Sequence, residues 1–169
     1  MKIHPSFTFR FILLISSLLF IANTCKESIH PPDEDGMVTL QELPDIPGYD
    51  TLTLERITWK LIGFGNHKTQ QVRLAVPENC GGCYTFLLDE NRLKGYTQVN
   101  VFRSEYIIDT LNNNIIYTSY IFFTEVGEFH DGEKFLKSFI VCTYFMFTQK
   151  GLILYSPEKN SFLLFKPYI

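Results

Sequence analysis

Tyr84 to Val99, YTFLLDENRLKGYTQV, is a β-hairpin written in one stretch. Tyr84, Phe86 and Leu88 fall at every second position and so share one face of an extended chain. Asp89-Glu90-Asn91 supply the turn, and Leu93 to Val99 return. A chain that commits this plainly to strand, turn and strand sets the expectation for its neighbours.

Those neighbours repeat the pattern. Upstream, Ile57 to Ile62 ends at Gly63 and Gln71 to Val76 ends at Pro77, with the polar loop Gly65 to Gln70 between them. Downstream, Phe102 to Asp109 and Ile115 to Tyr120 flank Leu111-Asn112-Asn113-Asn114, where asparagines tolerate the left-handed conformations of a tight turn. Leu152 to Tyr155 and Phe162 to Lys166 form a closing hairpin around Pro157 to Asn160. The spacing predicts about eight short strands in a mainly β fold, a twisted antiparallel meander or partly open barrel. One segment differs. Asp131 can cap a helix, and Phe135, Phe139 and Cys142 recur at helical spacing with Leu136 and Ile140 beside them. A short helix near 132–142 is therefore expected, with a strand as the competing reading from Ile140 onward, since Val141, Thr143, Tyr144 and Phe145 prefer extended backbone.

The N-terminal end is organised for export rather than folding. Lys2 and Arg10 flank the apolar run Phe11 to Ala22, and a polar, small-residue exit ends at Cys25. The run falls short of the roughly 20 apolar residues that span a bilayer. Ile21-Ala22-Asn23-Thr24-Cys25 resembles a lipobox, which implies a diacylated Cys25 as the new N-terminus and a membrane partner held through its lipid. An ordinary cleaved signal with an incidental cysteine is the other reading, giving a soluble periplasmic or secreted protein. Residues 1–24 are thus read as signal peptide. Residues 25–53 are read as acidic, proline-rich tether and lead-in, because Lys26 to Gly36 has almost no apolar surface to bury and Leu40 to Asp50 carries two prolines and a glycine. Residues 54–169 then make one domain.

Composition narrows the function. The net charge is -3, and no Lys/Arg cluster is interleaved with aromatics, so nucleic acid is not an expected partner.

Several motifs in order carry a family resemblance: Trp59-Lys60-Leu61, Cys80 to Phe86 (CGGCYTF), Gly95-Tyr96 with Asn100 and Tyr106, Thr124 to Glu128 with Asp131-Gly132, and the closing pair LILY and FLLFKP. Together they resemble small META-domain-like, heat-shock-type lipoproteins of Bacteroides-type bacteria. The resemblance implies a barrel-like sheet with a helix packed against it, a place in the cell envelope as an outer-membrane lipoprotein facing periplasm or cell surface, and no catalytic residues. Lys26-Glu27 and Asp33-Glu34-Asp35 also look like acidic export signals of such surface lipoproteins. The chain departs from the better-known members in keeping Gly95 and Asn100 without a cysteine between them.

Chemistry is sparse. Cys80-Gly81-Gly82-Cys83 is a candidate disulfide bracing the turn before Tyr84, in keeping with an oxidising envelope. A redox pair would instead sit at a helix N-terminus, and Tyr84 to Asp89 reads as strand. Cys142 reads as a small buried hydrophobe, with pairing to Cys80 or Cys83 open. Zinc needs four ligands, and His30, His67 and His130 lie in separate loops, so no metal or cofactor is expected. Glu125, Glu128, Asp131 and Glu133 gather around His130, as a solvated loop or as an acid/base or calcium site. No nucleophile elbow, P-loop or dinucleotide glycine pattern is present. Sixteen Phe and nine Tyr suit a filled small barrel, whereas a cavity beside Tyr84, Phe86 and Phe165 would make a lipocalin-like carrier of a small apolar ligand. The expectation is a non-enzymatic binding or structural module, with the carrier as its alternative.

Overall fold

The computed structural model describes residues 36–158 and 160–168. Cys25, His30 and the proposed signal and tether up to residue 35 lie outside the described residues. The strands are β1 (Met37–Thr39), β2 (Thr58–Asn66), β3 (Gln71–Leu74), β4 (Thr85–Asp89), β5 (Arg92–Tyr96), β6 (Val101–Asp109), β7 (Asn114–Tyr117), β8 (Phe122–Phe123), β9 (Tyr144–Thr148), β10 (Gly151–Tyr155) and β11 (Ser161–Pro167). Among the described residues one α-helix, α1, spans Gly132–Val141.

Eight of these strands close on themselves. The order β2-β11-β10-β9-β7-β6-β5-β4 returns to β2 through the pairs Thr58↔Leu87, Trp59↔Phe86 and Lys60↔Thr85, all antiparallel. The barrel is therefore closed rather than partly open. β2 can serve three neighbours because it is long: β11 runs along one side, while β4 takes its first part and β3 its later part on the other. A bulge opposite Leu164 and Phe165 shifts the phase of β2, which lets Trp59 and Leu61 before it and Phe64 after it join the interior. Where β5 meets β6, Gly95 stands opposite Phe102, and a Cβ there would lie 2.0 Å from the ring, so glycine lets the aromatic lie flat across the strand.

The two ends are plugged by different pieces of chain. At the end where β2 and β10 finish, α1 enters with Phe135 and Phe139, whose apolar spacing is what the sequence offered as helix. The helix stops at Val141 and β9 begins at Tyr144, so the helical and extended readings of this region each hold on their own side of Cys142. At the other end Leu54 is buried, its carbonyl accepts a hydrogen bond from the Trp59 indole at 3.0 Å, and Arg56 N–H donates to the Leu88 carbonyl.

Folding begins earlier than Leu54. Met37–Thr39 pairs with β3 as an added strand, and the Ile46 N–H donates to the Gln149 carbonyl, so the lead-in lies against the domain. Val38, Leu40 and Leu43 pack on Val72, Ile153, Phe162 and Leu164, a small second core outside the barrel wall. Glu34–Ile169 is one compact unit.

Candidate functional site

The first candidate site is the acidic loop ahead of α1. The fold separates its members. Glu125, Glu133 and His130 are exposed, whereas Asp131 is buried and Glu128 half-buried. Asp131 accepts a two-pronged hydrogen bond from the Arg73 guanidinium at 3.0 and 2.6 Å, and a third from the Val76 N–H at 2.8 Å. Both members of this ion pair are mostly shielded from water. Tyr84 and His130 take left-handed backbone around this corner.

Glu128 turns inward for another reason. One of its oxygens accepts from the Thr97 hydroxyl and from the Asn100 amide, and the other is buried with no partner among the described residues. Gly132 keeps that carboxylate in place, because a Cβ there would stand 2.0 Å from Glu128 Oε2. Asn100 is the hub: its Nδ2 donates to the Val126 carbonyl at 2.7 Å, and its Oδ1 accepts from the Thr124 hydroxyl at 2.7 Å and the Val126 N–H at 2.9 Å. These groups spend their bonds tying residues 124–131 to the barrel rim. The loop is a strut, and among the described residues no three His, Cys, Asp or Glu side chains gather as metal ligands. Nearby, burial and the neighbouring Asp131 push the Tyr84 phenol up to about 12, and its hydroxyl donates to the Val76 carbonyl at 2.9 Å.

The cysteines resolve simply. Cys80 and Cys83 are paired as a disulfide with Cα atoms 5.5 Å apart, ahead of a strand and not of a helix. Lys60 Nζ donates to the Cys80 carbonyl at 2.6 Å and fixes the same turn to β2. Cys142 is free and buried, so the alternative pairings with Cys80 or Cys83 are not made. Burial pushes its thiol up to about 12, which leaves it a packing residue.

The interior is filled. Phe86 meets Phe139 at 5.1 Å and Phe165 at 5.0 Å between ring centroids, Tyr84 meets Phe135 at 5.5 Å, and Phe102 meets Phe139 at 5.0 Å. Tyr84, Phe86 and Phe165, named above as walls of a conceivable cavity, pack on the helix instead.

The open space is outside. A groove of about 520 Å³ lies on the outer face of β4, β5 and β6. Register lines up Leu87, Lys94, Arg103 and Phe122 on four adjacent strands, and Asp89, Arg92 and Glu105 in the next row. The rim continues into residues 120–129, where Tyr120 is 87% exposed, Phe122 68% and Phe129 62%. Sequence reading missed this face because its members are far apart in the chain and only strand pairing unites them.

Two solved structures share this architecture. A DUF4847 family protein from Bacteroides vulgatus matches with a TM-score of 0.50 at 10% identity, over 66% of this chain and 92% of its own. A protein from Burkholderia xenovorans, solved by NMR, matches with a TM-score of 0.52 at 14% identity, over 82% of this chain and 97% of its own. At such identities the likeness is one of fold. No family model and no curated protein matches the chain. A small β-barrel is thus the part of the META resemblance that stands at the level of structure.

Proposed function

We propose that this chain is an exported lipoprotein, anchored through Cys25, whose barrel acts by contact as a binding or structural module of the cell envelope. One observation carries the contact reading: the barrel interior is packed with aromatic rings, while a groove and a run of exposed apolar side chains occupy its outer face. A protein that holds a small apolar ligand needs room inside. Here the rings of Phe135 and Phe139 occupy the place beside Tyr84, Phe86 and Phe165. The carrier alternative would have to use an external groove.

Support for export comes from the charge-flanked apolar run Phe11 to Ala22 and from Cys25 after it. The ordered motifs that resemble those of META-like lipoproteins fit the same compartment, facing periplasm or cell surface, and the disulfide suits an oxidising one. Metabolic labelling with a fatty acid tests the anchor. Wild type should carry label and partition with membranes, and Cys25→Ala should lose both; equal label in the two would refute it. Saturable uptake of an apolar dye, displaced by a lipid, would restore the carrier.

A further inference from the structure

Residues directly opposite one another in antiparallel strands are usually matched in charge, because like charges there repel. One row of the outer face follows this rule and the next breaks it. Arg92 stands between Asp89 and Glu105, and Asp89 also lies 3.7 Å from the Arg56 guanidinium. Lys94 and Arg103, by contrast, are paired directly across β5 and β6. Among the described residues neither belongs to an ion pair. The Lys94 ammonium instead sits over the Tyr96 ring, 5.1 Å from its centroid.

The ends of this row are apolar. Leu87 flanks Lys94, and Phe122, mostly exposed, flanks Arg103. At about 4.8 Å between strands the four positions span roughly 14 Å. Two unmatched cations between apolar ends, with Tyr120 exposed two positions before Phe122, lack an anionic partner that also accepts aromatic surface. The remaining acids of the groove, Asp89, Glu90 and Glu105, keep to the neighbouring row and its turn.

We propose that this row is a docking surface for an anionic bilayer, with lipid phosphates against Lys94 and Arg103 and the Phe122 ring in the headgroup zone. Aromatic side chains favour that zone, and basic residues near it are attracted by negative surface potential. An acidic peptide is the less suited occupant, because Tyr120, Val126 and Phe129 stand exposed outside the groove rather than lining it. The inference deepens the envelope reading: a barrel tethered by a lipid would meet the membrane through this wall.

The test uses the compact unit Glu34–Ile169, which holds both cores and lacks Cys25, so that acylation plays no part. It should sediment with phosphatidylcholine vesicles containing phosphatidylglycerol, weakly or not at all with pure phosphatidylcholine, and less as salt rises. Lys94→Gln with Arg103→Gln should lower partitioning about 25-fold, at roughly fivefold per basic residue. Both side chains are exposed, so an unchanged melting curve shows that folding is retained. Equal binding to the two vesicle types, no binding to either, or indifference to the double substitution would overturn the proposal. So would retention on polyglutamate resin in place of vesicles. Fatty-acid labelling at Cys25 is read separately, so the anchor and the docking face can fail independently.

Discussion

The barrel has two unlike walls. In β10 and β11, Leu152, Ile153 and Leu154 and then Phe162 to Phe165 are all buried, whereas β5 alternates strictly between exposed and buried side chains. Both walls feed the same interior. They differ outside: Val38, Leu40 and Leu43 cover the wall built from β2, β10 and β11, and nothing among the described residues covers β4, β5 and β6 in the same way. A continuous apolar run thus marks a strand covered twice, and alternation marks one with a face to spare. The covered wall serves stability, and the uncovered wall is where a partner can be met.

The contrast can be broken by substitution. Leu164 points away from the barrel interior yet is fully buried under the N-terminal segment, so Leu164→Ala should destabilise by about 2–5 kcal/mol. Lys94→Ala on the uncovered wall should stay within roughly 0.5 kcal/mol. Comparable urea midpoints for the two variants would dissolve the distinction. Next in size is the strut that fastens the acidic loop. Removing the carboxylate in Asp131→Ala leaves Arg73 mostly shielded and without its ion-pair partner, and should cost about 3 kcal/mol by chemical denaturation.

A pH dependence belongs to the interior shared by both walls. Tyr84 and Cys142 each titrate near 12 when folded, above their ordinary values of 10.0 and 9.0, chiefly through burial. Unfolding releases their protons sooner, so stability is intact below about pH 9 and declines as pH rises from there through 12. Urea midpoints across that range should fall, and Cys142→Ala should flatten the lower part of the decline. A flat wild-type profile would show that these groups titrate alike in both states.

Much of the fold was legible locally. The Phe86 and Leu88 alternation, the Asp89-Glu90-Asn91 turn and the Phe135/Phe139 spacing each encode their element within a few residues, whereas Tyr84 takes left-handed backbone just ahead of β4. β5 ends at Tyr96 rather than Val99 because the Thr97 hydroxyl accepts the Asn100 N–H at 2.8 Å and bends the chain. β1 escaped notice since three residues, Met37-Val38-Thr39, carry no period; they are a strand because β3 offers an edge. The acidic loop read as one solvated cluster, yet Asp131 and Glu128 turned inward toward Arg73 and Asn100, partners separated from them by 58 and 28 positions.

The order of residues alone determined which segments extend, which one coils and where the chain turns, because those outcomes depend on neighbours two to four positions away. Closure through β2 and β4, the covering of one wall, and the meeting of Lys94 with Arg103 were decided by tertiary structure. The reason is register: strand pairing sets side chains from distant segments next to one another, and no local pattern records which distant segments those will be.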